Sequence, residues 1–109
     1  MDFQEVVQKI AAKLQPERIV LFGSRARGDF SVDSDFDVLV IMPNSSNPID
    51  HFELAAEALY AARGKGFSMD VVVLTESEVQ QSLEDQADFV FYAMQDGKVM
   101  YEKNRVAVA

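Results

Sequence analysis

The sequence predicts a small α/β (α+β) domain, a mixed β-sheet of three to four strands packed with helices. Three observations carry that expectation. Short β-branched and aromatic runs alternate with segments of helical apolar spacing. Gly and Pro fall between these segments and rarely inside them. Finally, 109 residues, about half of them apolar and eight of them Phe, suffice for one packed core and leave no room for a second.

Taken in order, Phe3, Val6, Val7, Ile10, Ala11 and Leu14 recur at helical spacing, and Pro16 ends that helix. Arg18-Ile19-Val20-Leu21-Phe22, stopped by Gly23, reads as a buried strand. Residues 24–34 read as a short helical turn followed by a loop. The second strand spans Asp35 to Met42, and its later half is apolar on both faces, as in a central strand covered from both sides. The segment from Pro43 to Pro48 is a loop by composition. Phe52, Ala55, Ala56, Leu59 and Ala62 then outline a second amphipathic helix, closed near Gly64 and Gly66. The third strand runs from Phe67 to Leu74. Thr75 and Glu78 form a capping box that opens a helix carrying Val79 and Leu83. A further helix is expected over Gln86 to Asp96, stopped by Gly97, and Val99-Met100-Tyr101 is a candidate edge strand. Residues 1–103 are thus expected to form a single domain, with 104–109 a loose tail.

Composition narrows the function. The formal net charge is −8. Such a surface repels nucleic acid and anionic lipid unless a basic cluster overrides it, and the linear sequence has none. Arg25 and Arg27 are followed at once by Asp29, Asp33, Asp35 and Asp37. No apolar stretch nears the roughly 20 residues that span a bilayer. The first residues show no basic segment leading into an apolar run, so no secretory signal is expected. Cysteine is absent, which removes disulfides and thiolate metal sites and fits a cytoplasmic setting. Neither nucleic acid nor membrane is an expected direct partner.

The informative stretch runs from Gly23 to Asp37. Gly23 lets the backbone approach a ligand closely, and Ser24, where a helix begins, offers a hydroxyl beside free N–H groups that suit phosphate. Alone, these two also read as an ordinary turn and N-cap. Asp35 and Asp37 are alternate residues of a strand, so they share a face at a separation of about 6.6 Å. Ionised together, they repel by about 2.5 kcal/mol at an effective dielectric of about 20. At the edge of an apolar core that arrangement invites a divalent cation with oxygen ligands, although both acids could equally face water. Asp70 interrupts the third strand in the same way, just before Val71-Val72-Val73, and could face the same cation from a neighbouring strand. An EF-hand counted from Asp33 fails, since Val38 stands at position six and Asn44 at position twelve.

Together these residues resemble a known family. Gly23-Ser24, ten residues, then Asp35-Phe36-Asp37 matches the signature of the polymerase-beta-like nucleotidyltransferases. Phe22-Gly23-Ser24-Arg25-Ala26-Arg27-Gly28 and Ser34-Asp35-Phe36-Asp37-Val38-Leu39-Val40 resemble the minimal nucleotidyltransferase branch over nearly the whole chain. The resemblance implies that Asp35, Asp37 and Asp70 hold one or two Mg²⁺ ions. It implies that Gly23 and Ser24, with Arg25 and Arg27, receive the triphosphate of ATP. It further implies a HEPN-domain toxin as partner and acceptor, AMP being attached to one of its tyrosines. Two alternatives stay open: a small hydroxylated molecule of aminoglycoside type as acceptor, or an antitoxin acting by contact alone.

Other residues carry less. His51, the one histidine, sits at a helix start and reads as a cap neighbour. Tyr60, Tyr92 and Tyr101 read as packing residues. Phe89-Val90-Phe91-Tyr92 makes a helix apolar nearly all round, so it is either deeply buried or a partner surface.

Overall fold

The computed structural model describes residues 3–66, 68–85 and 88–103. In chain order the elements are α1 (Phe3–Leu14), β1 (Arg18–Phe22), α2 (Ser24–Arg27), β2 (Phe36–Met42), α3 (His51–Ala61), β3 (Met69–Thr75), α4 (Glu76–Leu83), α5 (Phe89–Asp96) and β4 (Lys98–Glu102). The strands form one mixed sheet in the order β3-β2-β1-β4. β1 runs antiparallel to both β2 and β4, whereas β2 and β3 are parallel. A parallel pair needs a crossover, and α3 supplies it.

The period-two alternation of the strands builds an apolar cluster on each face of the sheet, which corrects the expectation of one core. Ile19, Val38, Val40, Met42 and Val73 point to one side, where the α1 stripe of Val6, Val7, Ile10 and Leu14 covers them with Ala58 of α3. Val20, Leu39 and Ile41 point to the other side and meet Val79 of α4 and Val90 of α5. No polar or charged side chain is buried among the described residues.

Several boundaries move from their sequence positions. β2 begins at Phe36, leaving Asp35 just outside the strand. β3 begins at Met69, and Phe67 lies outside the described residues. The helix expected over Gln86 to Asp96 begins only at Phe89, because the Asp88 side chain caps it by accepting from the Val90 amide at 2.9 Å. Gln86 lies outside the described residues, as does the expected tail 104–109. The capping box at α4 forms as the sequence suggests: the Thr75 amide donates to Glu78 at 2.8 Å, and the Glu78 amide donates to the Thr75 hydroxyl at 3.2 Å. Among the described residues, no helix is long and apolar enough to cross a membrane.

Candidate active site

The row Asp37, Leu39, Ile41 on β2 and the row Asp70, Val72, Leu74 on β3 both face α4 and α5. Asp37 and Asp70 are direct cross-strand partners in the parallel register. Phe22 is the partner of Asp37 on the other flank, so the strand-to-helix corner that follows it adjoins the acids. Helix α5 comes up to this end beside β1, where the Phe89 and Phe22 ring centroids lie 5.9 Å apart, yet Asp70 and Asp35 stay exposed while Asp37 is half-buried.

Gly23 explains how the corner and the acid fit. Its φ is +76°, and a Cβ placed there would collide with the Asp37 carboxylate. The backbone of Gly23 therefore lies directly against that carboxylate, a packing only glycine allows. Ser24 follows, half-buried, and opens the single turn of α2.

Electrostatics agree with this crowding. Burial pushes the Asp37 carboxyl above the usual aspartate range, Asp70 and then Asp35 push it further, and Arg27 draws it partly back. Arg27 is the cation whose field reaches Asp37, although its Nε also donates to exposed Asp29 at 3.4 Å. Among the described residues no three His, Cys, Asp or Glu side chains are drawn together as a ready-made metal cage. Three carboxylates that repel one another splay apart, and Asp35, exposed and outside the strand, has the freedom to do so. The donor set itself, all carboxylate oxygen at one strand end against a glycine corner, suits a hard divalent cation.

Arg25 is placed differently from the other site residues. Its guanidinium carbon lies 4.4 Å from the Phe30 ring centroid and 4.3 Å from that of Phe36. Nε and Nη2 donate to the Ser34 carbonyl at 3.2 and 3.0 Å, and Nη2 also donates to the Val32 carbonyl at 3.3 Å. Phe36 packs against the α1 core, on the side of the sheet opposite Asp37 and Asp70.

The remaining candidates separate clearly. His51 Nε2 pairs with Glu78 at 2.8 Å, joining the start of α3 to the capping box of α4. Tyr101 packs beside the α1 core, but Tyr60 and Tyr92 are 65% and 55% exposed, which corrects their reading as packing residues. They lie outward because α3 and α5 each bury only one narrow face. The run from Phe89 to Tyr92 divides as well. Val90 is buried, while Phe89 and Tyr92 join Phe22, Gly23 and Arg27 around a hollow of about 180 Å³ beside the glycine corner. Sequence reasoning missed this hollow; its one linear signal was an aromatic directly before Gly23. A larger hollow of about 500 Å³ lies between α1 and α3, lined by Lys9, Lys13, Glu53, Glu57 and Tyr60, and holds none of the site residues.

Comparisons with known proteins bear on the family and the fold. No curated protein matches the chain significantly. Among solved structures, a Sulfolobus solfataricus protein assigned as a nucleotidyltransferase is similar over 96% of this chain and 83% of its own, with 25% identity and a TM-score of 0.63. A toxin–antitoxin structure with AMP-PNP is 20% identical over 95% of this chain and 77% of its own, with a TM-score of 0.60. A mutant of the toxin–antitoxin pair MntA-HpeT, in which two aspartates are replaced by glutamate, is 19% identical over 94% and 75%, with a TM-score of 0.58. Residues 4–100 match the family described as nucleotidyltransferase domain, and the chain belongs to that family.

Proposed function

We propose that the chain transfers AMP from ATP to a protein hydroxyl, a tyrosine of a HEPN-domain ribonuclease toxin, and thereby acts as that toxin's antitoxin. The observation that carries this reading is the register pairing of Asp37 with Asp70 against the Gly23-Ser24 corner. It gives a nucleoside triphosphate a carboxylate side and a hydroxyl side within one short span. The two toxin–antitoxin structures, one of them with AMP-PNP, support both the nucleotide and the kind of partner. In the second, the two replaced aspartates stand two positions apart, the spacing of Asp35 and Asp37 here.

Asp35, Asp37 and Asp70 would hold Mg²⁺, one or two ions. When bound, the metal neutralises the triphosphate and stabilises the entering and departing oxygens. Ser24 donates its hydroxyl to a phosphate oxygen, and the Gly23 backbone keeps the ligand close to Asp37. Arg27 adds positive charge on the same flank. Asp70, exposed at the strand end, takes the proton of the acceptor hydroxyl. The acceptor oxygen forms a bond to the α-phosphorus as the bond from that phosphorus to the α–β bridging oxygen breaks, and pyrophosphate departs with the electron pair.

The test is incubation with α-labelled ATP and Mg²⁺, with and without the product of the neighbouring gene. Label should appear on that protein and vanish with Asp37→Asn. Label on an added aminoglycoside without any partner would move the assignment to a small-molecule acceptor. Toxin neutralisation that survives Asp35→Asn with Asp37→Asn would replace catalysis by contact.

A further inference from the structure

The geometry points to Arg25 as a positioning residue that sets Asp35 relative to Ser24, and not as a ligand of the triphosphate. The inference rests on the nucleotidyltransferase reading for what the positioning serves. Its structural half stands on contacts alone.

Arg25 follows Ser24 on α2, and its guanidinium reaches across nine residues to the Ser34 carbonyl. That carbonyl belongs to the peptide unit joining Ser34 to Asp35. A peptide is planar, so fixing its oxygen orients the backbone that enters Asp35. The second carbonyl held, that of Val32, belongs to the same loop. The loop has its own turn, in which the Ser34 amide donates to the Ser31 carbonyl at 3.1 Å and the Ser31 amide to the Ser34 hydroxyl at 3.0 Å. Arg25 thus grips a preformed turn, not a loose strand of chain.

The rings fix the guanidinium plane. The guanidinium carbon lies over both the Phe30 ring and the Phe36 ring, and Phe36 in turn stacks on Phe3 of α1 at 4.5 Å with 12° between planes. The stack Phe30, Arg25, Phe36, Phe3 runs from the loop into the larger core. Phe36 stands between Asp35 and Asp37, so the ring that anchors Arg25 also anchors the backbone of both acids. It lies on the face opposite them, which turns the guanidinium away from the side where a triphosphate would meet Asp37 and Asp70. A lysine at this position keeps a positive charge but supplies neither the planar fork nor the flat surface against two rings.

The experiment uses Arg25→Lys, Arg25→Met and Phe30→Leu in the full chain. Circular dichroism first confirms that each folds. Two readouts follow: label transfer at varied ATP, and amide hydrogen exchange over residues 29–35. A positioning role predicts that all three lower kcat by about 10- to 100-fold, as a misplacement near 1 Å does, with KM for ATP held within about threefold. Exchange in the loop accelerates in each. The inference is overturned if Arg25→Lys keeps the normal kcat while Arg25→Met raises KM for ATP about tenfold. Unchanged loop exchange in both Arg25 variants overturns it equally. Should the unmodified chain transfer no label to any acceptor, the reaction assigned above fails. Loop exchange and calorimetric Mn²⁺ binding then decide for Arg25: a faster loop with weaker Mn²⁺ binding retains it as a positioning residue, and unchanged Mn²⁺ binding refutes it.

Discussion

Along β2, residues that are neighbours in the chain live in opposite surroundings. Phe36, Val38, Val40 and Met42 look toward α1 and α3, into a cluster with thirteen buried residues among those described. Asp37, Leu39 and Ile41 look toward α4 and α5, where the corresponding cluster has five. The first face ends in buried side chains, whereas on the second α5 reaches Phe22 and leaves Asp35 and Asp70 exposed and Asp37 half-buried. Burying a carboxylate without a partner is costly, so Asp70 stays exposed and Asp37 only half-buried at this strand end. The difference teaches that one face carries most of the stability and the other gives some of it up for a charged, reachable strand end.

That division can be broken most sharply at Asp37. With Asn there, transfer activity should fall by about 10³-fold or more, since a lost metal ligand removes several kcal/mol of transition-state stabilisation. Stability without metal should move the other way. The folded state raises the Asp37 pKa, so its ionised form disfavours folding at neutral pH and protonation relieves the strain as pH falls through the raised value. In melts without Mg²⁺, Asp37→Asn should therefore be the more stable chain at neutral pH, with its advantage shrinking on acidification. A variant less stable than the parent under those conditions would contradict the division.

Ile10→Ala tests the opposite face. Ile10 is fully buried under the sheet, and truncation should cost about 2–5 kcal/mol in denaturant unfolding. At a temperature where the variant remains folded, its Mg²⁺-dependent activity should stay near normal. Loss of activity in proportion to stability would mean the faces are not separable.

Gly23→Ala lies where the faces meet the corner. The positive φ and the collision with Asp37 together should cost about 1–3 kcal/mol and also impair nucleotide binding. Binding that survives intact in calorimetry would show that the corner does not shape the site.

The smallest effect belongs to the capping box. Thr75→Ala should cost about 1 kcal/mol. Burial raises the Glu78 pKa, but hydrogen bonds from His51 and Thr75 outweigh it and hold the group below its ordinary value. Its stabilising contribution is present above the unfolded-state pKa and is lost as pH falls through the lowered folded value. Glu78→Gln should flatten acid unfolding in that acidic range while leaving transfer activity unchanged.

Local rules carry much of this molecule. A period of two puts Asp37, Leu39 and Ile41 in one row, and a period of 3.6 gives α1 its stripe, because both follow from backbone geometry whatever the rest of the chain does. The Gly23 turn and the capping box at Thr75 are likewise local, since each is completed within a few residues. By contrast, the pairing of Asp37 with Asp70 spans a crossover helix, and only sheet assembly could select that register. The seat of α5 against Phe22, beside a half-buried Asp37, depends on packing across the sheet. So do the contacts of Arg25 with Phe30, Phe36 and the Ser34 carbonyl, which the resemblance that implied a triphosphate role for it does not contain. Contacts between residues distant in the chain are chosen by the global burial of apolar surface, and no short stretch of sequence contains that choice.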